Sequence, residues 1–154
     1  MRRVAIPDLE AMRDTAARSG SAFRIISGFR SYAEQALTFE HWVAIGGRAA
    51  ALQTSARAGH SEHQLGTAID VAEDGTPPWQ DGYDFARTRA GTWLTTHAWE
   101  YGFVMSYPFA KEAVTCYTYE PWHFRWIGRA SAATVRASGL TLRQLQEARR
   151  VAER

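Results

Sequence analysis

Apolar positions first recur at helical spacing at Leu9, Met12 and Ala16, between Pro7-Asp8 and Ser19-Gly20, which predicts a first helix. Phe23 to Ile26 is a short apolar run that predicts a strand. Ser31-Tyr32-Ala33-Glu34 has capping-box spacing for a second helix, running through Phe39 and Trp42 towards Gly46-Gly47. From Gly46 to about Gln64 the periodicity dissolves into Gly, Ala, Ser and Arg, the pattern of a long loop. Thr67 to Val71 alternates like a strand, and the turn-rich stretch 73–83, with Gly75, Pro77-Pro78, Trp79 and Gly82, predicts a surface excursion. Phe85 to Tyr101 predicts a third helix, with Trp93, Leu94, His97, Ala98 and Tyr101 at helical spacing and Gly102 as its stop. Phe103 to Tyr107 and Thr115 to Trp126 are rich in aromatic and β-branched residues and predict strands, and Thr141 to Gln144 offers a second capping box for a C-terminal helix. With no internal repeat and no low-complexity linker, residues 1–154 form one α+β domain on this reading.

Composition narrows the classes. A chain of 154 residues can remove roughly two-thirds of its unfolded surface from water, so one core suffices. Hydrophobic residues at 45% and charged residues at 22% are those of a folded, soluble domain. The net charge of +2 sets 18 basic against 16 acidic residues without a long block of either sign, which argues against a nucleic-acid partner. Six Trp then belong to core and site walls rather than to a base-stacking platform. No stretch is long and apolar enough to span a membrane. Met1-Arg2-Arg3 is charged like the start of a signal peptide, but Val4-Ala5-Ile6 ends at Pro7, short of the roughly 7–15 apolar residues needed. Cys116 is the lone cysteine, so the chain has neither an internal disulfide nor a thiolate cluster, and a metal would need imidazole and carboxylate donors.

Such donors occur in two stretches. Ser61 to Asp70 delivers the His63 imidazole from a loop and the Asp70 carboxylate from the strand that follows. Gly66 permits a tight turn between them, and small Ala68 leaves room beside a metal. Glu120-Pro121-Trp122-His123 places a second imidazole three residues after a carboxylate. Extended positions three apart face opposite ways, so Glu120 and His123 can share a site only if Pro121 bends the chain. A His/Asp/His set leaves the fourth tetrahedral position to water, with Glu120 as the base that takes its proton.

These residues resemble the VanY-type D-alanyl-D-alanine carboxypeptidases and related zinc peptidases of bacterial cell walls. Ser27-Gly28-Phe29-Arg30-Ser31 is similar to a Ser-Gly-Tyr-Arg-Ser turn of that family, His63 to Asp70 fits its Ser-x-His-x-x-Gly-x-Ala-x-Asp pattern, and Glu120 to His123 fits its Glu-Pro-Trp-His. Trp99 to Pro108 resembles a further segment, so the likeness spans roughly residues 20–130. The resemblance implies a small antiparallel sheet that carries one zinc ion and is flanked by helices. It implies His63, Asp70 and His123 as ligands, Glu120 as general base, Arg30 steadying the carbonyl oxygen, and Ser61 and Gln35 orienting polar groups of the substrate. The implied substrate is a peptidoglycan stem peptide from which C-terminal D-alanine is released, by DD- or LD-carboxypeptidase action, in the cell wall or periplasm. Alternatives are an endopeptidase of the phage-lysin type and a zinc-containing module that binds without hydrolysis. Phe29 and Cys116 depart from the family pattern, standing where tyrosine and glycine are expected.

Taken singly, each donor has an ordinary structural reading, and the agreement of three separated motifs in chain order reverses it. His60 is the nearest decoy, suited at most to the substrate rim. His41 and His97 lie on predicted helices beside aromatic residues, where packing or exposure is their default. Arg30 could be a surface charge at a helix start, but the helix dipole disfavours a cation there. Cys116 has no apparent activating neighbour and reads as structural.

Overall fold

The fold is a four-stranded sheet with helices against it, and the two faces of the sheet do different work. It is seen in a computed structural model that describes residues 1–77 and 84–153. In chain order the elements are α1 (Ile6–Arg18), β1 (Phe23–Ser27), α2 (Tyr32–Thr54), β2 (Ala68–Glu73), α3 (Arg89–His97), β3 (Phe103–Met105), α4 (Glu112–Thr115), β4 (His123–Trp126), α5 (Arg129–Ser138) and α6 (Leu142–Ala152). The strands lie in the order β1-β2-β4-β3, with every neighbouring pair antiparallel. An α+β class with a small antiparallel sheet flanked by helices is what the sequence predicts.

Strand alternation sorts the side chains. Ile69 lies opposite Phe124, and Phe124 opposite Met105, so these residues, with Val71 and Phe103, share one face. That face packs on Leu9, Met12 and Ala16 of α1 and on Ala90 and Leu94 of α3, making the main core. Burying each large side chain there contributes about 1.5–3 kcal/mol. The opposite face carries Asp70, paired with His123, and Ala68, paired with Arg125. Val104, on this second face of β3, packs with Ala132 of α5 and Leu142 of α6 in a smaller cluster.

Both capping boxes form. Ser31 accepts from the Glu34 N–H while Glu34 accepts from the Ser31 N–H, and Thr141 and Gln144 do the same for α6.

Four sequence expectations need correction. The loop expected over 46–64 is largely helix, because α2 kinks at Gly47 (φ 78°, ψ 163°) and resumes to Thr54. Glycine tolerates that conformation, and Ala49, Ala50, Ala51 and Leu52 then favour helix again. The single helix expected over 85–101 is divided into a 3-10 turn (Phe85–Arg87), α3 and a second 3-10 turn (Ala98–Tyr101), because the Thr88 side chain caps α3 at the Gly91 N–H. The strand expected over 115–126 is confined to His123–Trp126, and the one expected over 103–107 ends at Met105. Upstream of β4 lie α4 and Cys116, which caps α4 with left-handed backbone (φ 66°) where an extended run is impossible. That conformation is also why glycine suits position 116. Helix α5 was not expected. Within the excursion over 73–83, Asp74 to Thr76 form a turn and residues 78–83 lie outside the described residues. Among the described residues no helix is long and apolar enough to cross a membrane.

Candidate metal centre and active site

Asp70 and His123 are brought together by the ladder itself, since they are register partners on neighbouring strands and project to the same face. His63 comes from a 3-10 turn (Glu62–Leu65) just before β2. Gly66 ends that turn in the left-handed conformation (φ 68°), and its N–H donates to the His63 carbonyl at 3.1 Å. The N-terminal residues tie the turn down, with the Arg2 N–H on the Gly66 carbonyl at 2.6 Å and Arg2 Nε on the Leu65 carbonyl at 2.9 Å. In this arrangement His63 Nε2 lies 3.1 Å from Asp70 Oδ2, and His123 Nδ1 lies 2.9 Å from Asp70 Oδ1. All three residues are buried, and one donor atom from each falls within 4.8 Å of the others.

The orientation of the rings fits a cation. His63 Nδ1 donates to the Gly28 carbonyl at 2.6 Å, which leaves the lone pair of a neutral imidazole on Nε2. That Nε2 is buried with no hydrogen-bond partner among the described residues, and it faces a carboxylate. His123 Nε2 lies 2.9 Å from Glu62 Oε2, an acceptor, so its Nδ1 is the atom directed at Asp70. Burial opposes ionisation of Asp70, yet the adjoining His123 and His63 rings outweigh it and hold the carboxyl far below its usual range. Burial likewise opposes charge on His123, but Asp70 and Glu62 push its pKa up to about 10. The pocket therefore demands positive charge, and two imidazole nitrogens with one carboxylate oxygen form a donor set suited to zinc.

Beside these donors, Glu120-Pro121-Trp122-His123 forms a turn closed by the His123 N–H on the Glu120 carbonyl at 3.2 Å. This is the bend that proline was expected to make, and it brings Glu120 Oε2 to 3.9 Å from His123 Nδ1. Burial pushes the Glu120 carboxyl up to about 8, with His123 and Arg30 pulling against it and Asp70 and Glu62 adding to it. Arg30 follows β1, and its Nη2 stands 3.7 Å from Asp70 Oδ2. Its Nε is buried without a hydrogen-bond partner among the described residues, and burial lowers its pKa. Gln35 is buried, donating from Nε2 to the Ala56 carbonyl at 2.6 Å and leaving Oε1 without a partner among the described residues. Arg30, Gln35, Ser61 and Glu120 join the three donors around one cleft of about 250 Å³.

The expected bystanders stay out of that cleft. His60 is exposed on a turn, His41 rests its ring edge-on to Trp42, and His97 pairs with Glu100 at 2.8 Å. Four residues at the site escaped the sequence reading: Glu62, Ser106, Arg125 and Tyr107. Glu62 accepts from His123, from Ser106 Oγ at 2.6 Å and from Arg125 Nη1 at 2.8 Å. Burial works against its ionisation, but those partners hold its carboxyl well below the usual range. The Tyr107 ring lies over His123 with centroids 5.0 Å apart, and burial raises its phenol pKa. Only Arg125 carried a usable signal, since strand alternation places residue 125 on the same face as residue 123.

An α+β domain whose sheet presents two imidazoles and an aspartate on one face, with a buried glutamate beside them, defines a class of candidate metal-dependent hydrolases. The sequence pattern of the VanY D-alanyl-D-alanine carboxypeptidases matches residues 1–129, and the chain belongs to that family. It is 35% identical over 151 residues to YodJ of Bacillus subtilis, covering 96% of this chain and 54% of YodJ, so it spans about half the length of that curated relative. Among solved structures it is similar to the LD-carboxypeptidase LdcB, with a TM-score of 0.83, 35% identity, and coverage of 96% of this chain and 68% of the other. It is also similar to a vancomycin-resistance D,D-pentapeptidase VanY in complex with Zn(II), with a TM-score of 0.82, 28% identity, and coverage of 94% and 82%.

Proposed function

We propose that this domain is a zinc peptidase that releases C-terminal D-alanine from peptidoglycan stem peptides, working outside the cytoplasm. The observation that carries the reading is the buried His63 Nε2, which has no hydrogen-bond partner among the described residues and faces Asp70 beside His123 and Glu120. His63 through Nε2, His123 through Nδ1 and Asp70 through a carboxylate oxygen would hold one zinc ion. When bound, the ion supplies Lewis acidity, which acidifies water and polarises a carbonyl. Glu120 takes the proton of the attacking water and passes it to the departing amine, a role suited to a carboxylate whose burial raises its proton affinity. The Arg30 guanidinium, fixed beside Asp70, offsets the negative charge that develops on the carbonyl oxygen. Ser61 and Gln35 orient polar groups of the peptide from the wall of the cleft.

Incubation of zinc-loaded protein with muropeptides, with and without a chelator, followed by mass spectrometry, tests the reading. Loss of a single terminal D-alanine, abolished by the chelator, is the expected result. The penultimate residue of the cleaved peptides distinguishes DD from LD action. Internal cleavage would instead mark an endopeptidase, and wall binding without any cleavage would mark a silent module.

A further inference from the structure

His123 is held between two carboxylates, with Nδ1 2.9 Å from Asp70 Oδ1 on the side of the three donors and Glu62 on the other. Its Nε2 meets Glu62 Oε2 at 2.9 Å, and the Tyr107 ring covers its face with centroids 5.0 Å apart. Glu62 is itself fixed from two further elements. Arg125 Nη1, two residues along β4 from His123, donates to Oε1 at 2.8 Å, and Ser106 Oγ, just beyond β3, donates to Oε2 at 2.6 Å. Glu62 also immediately precedes His63, so one short turn supplies one imidazole donor directly and steers the other.

Resting on the zinc reading above, we infer that Glu62, clamped by Arg125 and Ser106, is a positioning residue that binds the His123 Nε2–H and thereby presents Nδ1 to the metal. A carboxylate accepts only, so Glu62 keeps a proton on Nε2. With that nitrogen committed, Nδ1, which lies 2.9 Å from Asp70 Oδ1, is the atom left to give up its proton when a cation takes its place. The negative charge of Glu62 also makes the imidazole a better donor. Glu62 touches neither the cleaved bond nor the metal, and it acts through His123 alone.

The test measures zinc affinity by chelator competition together with the nitrogen chemical shifts of the His123 ring in zinc-loaded protein. Glu62→Ala should weaken zinc binding about 10- to 100-fold, the usual cost of losing such a partner. Glu62→Gln keeps an acceptor for Nε2–H and should recover a substantial part of that loss, with the Nε2–H resonance retained. Wild-type affinity and an unchanged ring resonance in Glu62→Ala would overturn the inference while leaving the zinc reading intact. A loss of affinity in Glu62→Ala that Glu62→Gln does not recover at all, with the His123 resonance unmoved, would also overturn it. Failure of the wild-type protein to bind zinc would overturn the zinc reading and this inference with it.

Discussion

Glu120 and Cys116 stand a few residues apart and illustrate two kinds of constraint, one chemical and one conformational. Glu120→Gln preserves shape and burial but removes the base, so kcat for D-alanine release should fall about 10²- to 10⁴-fold, while zinc affinity measured by chelator competition stays near wild type. Cys116 holds left-handed backbone that costs an L-residue about 1–2 kcal/mol, whereas glycine adopts it freely at an entropic cost of roughly 0.5–1 kcal/mol. Cys116→Gly should therefore raise stability by up to about 1 kcal/mol in denaturant unfolding. The residues that announced themselves in the sequence, His63, Asp70, Glu120 and His123, did so because short motifs fix their spacing and their chemistry is distinctive. Glu62 stayed hidden because its partners lie 44, 61 and 63 residues away, and nothing local to it encodes that convergence.

The elements were legible where local chemistry decides them. Ser31 and Glu34 define the start of α2 with a cap that depends on charge, the Ser31 N–H lying 2.7 Å from Glu34 Oε2. The backbone and side-chain hydrogen bonds of Ser31 lower the Glu34 pKa from 4.5. A folded-state pKa below the unfolded value stabilises the fold fully above 4.5 and loses that contribution as pH falls through the lower folded value. Amide exchange in the first turn of α2 should accelerate across that acidic window in the wild type and show no such step in Glu34→Gln. At α6 the Thr141 side chain accepts from the Gln144 N–H, and Thr141→Ala should cost about 1 kcal/mol in thermal unfolding. Elements set by distant contacts were less legible. Gly46-Gly47 has the composition of a stop, yet the chain beyond Gly47 continues as helix. The aromatic run from Tyr117 looks like strand, but only the part that finds β2 and β3 as neighbours becomes one.

For the molecule as a whole, a metal bound only by the folded state adds to its stability. At a free concentration about a hundred times the dissociation constant, zinc should add about 2.7 kcal/mol, raising Tm by roughly 5–10 °C in calorimetry, with reversal by excess chelator. The order β1-β2-β4-β3 has a further consequence. Asp70 and His123 ride on the two inner strands, each with a neighbour on both sides, whereas His63 belongs to a short turn outside the sheet. An ion held by these residues would therefore be released by opening of the turn around His63, which must first break the hydrogen bonds of Arg2 and Glu62, while the sheet stays paired.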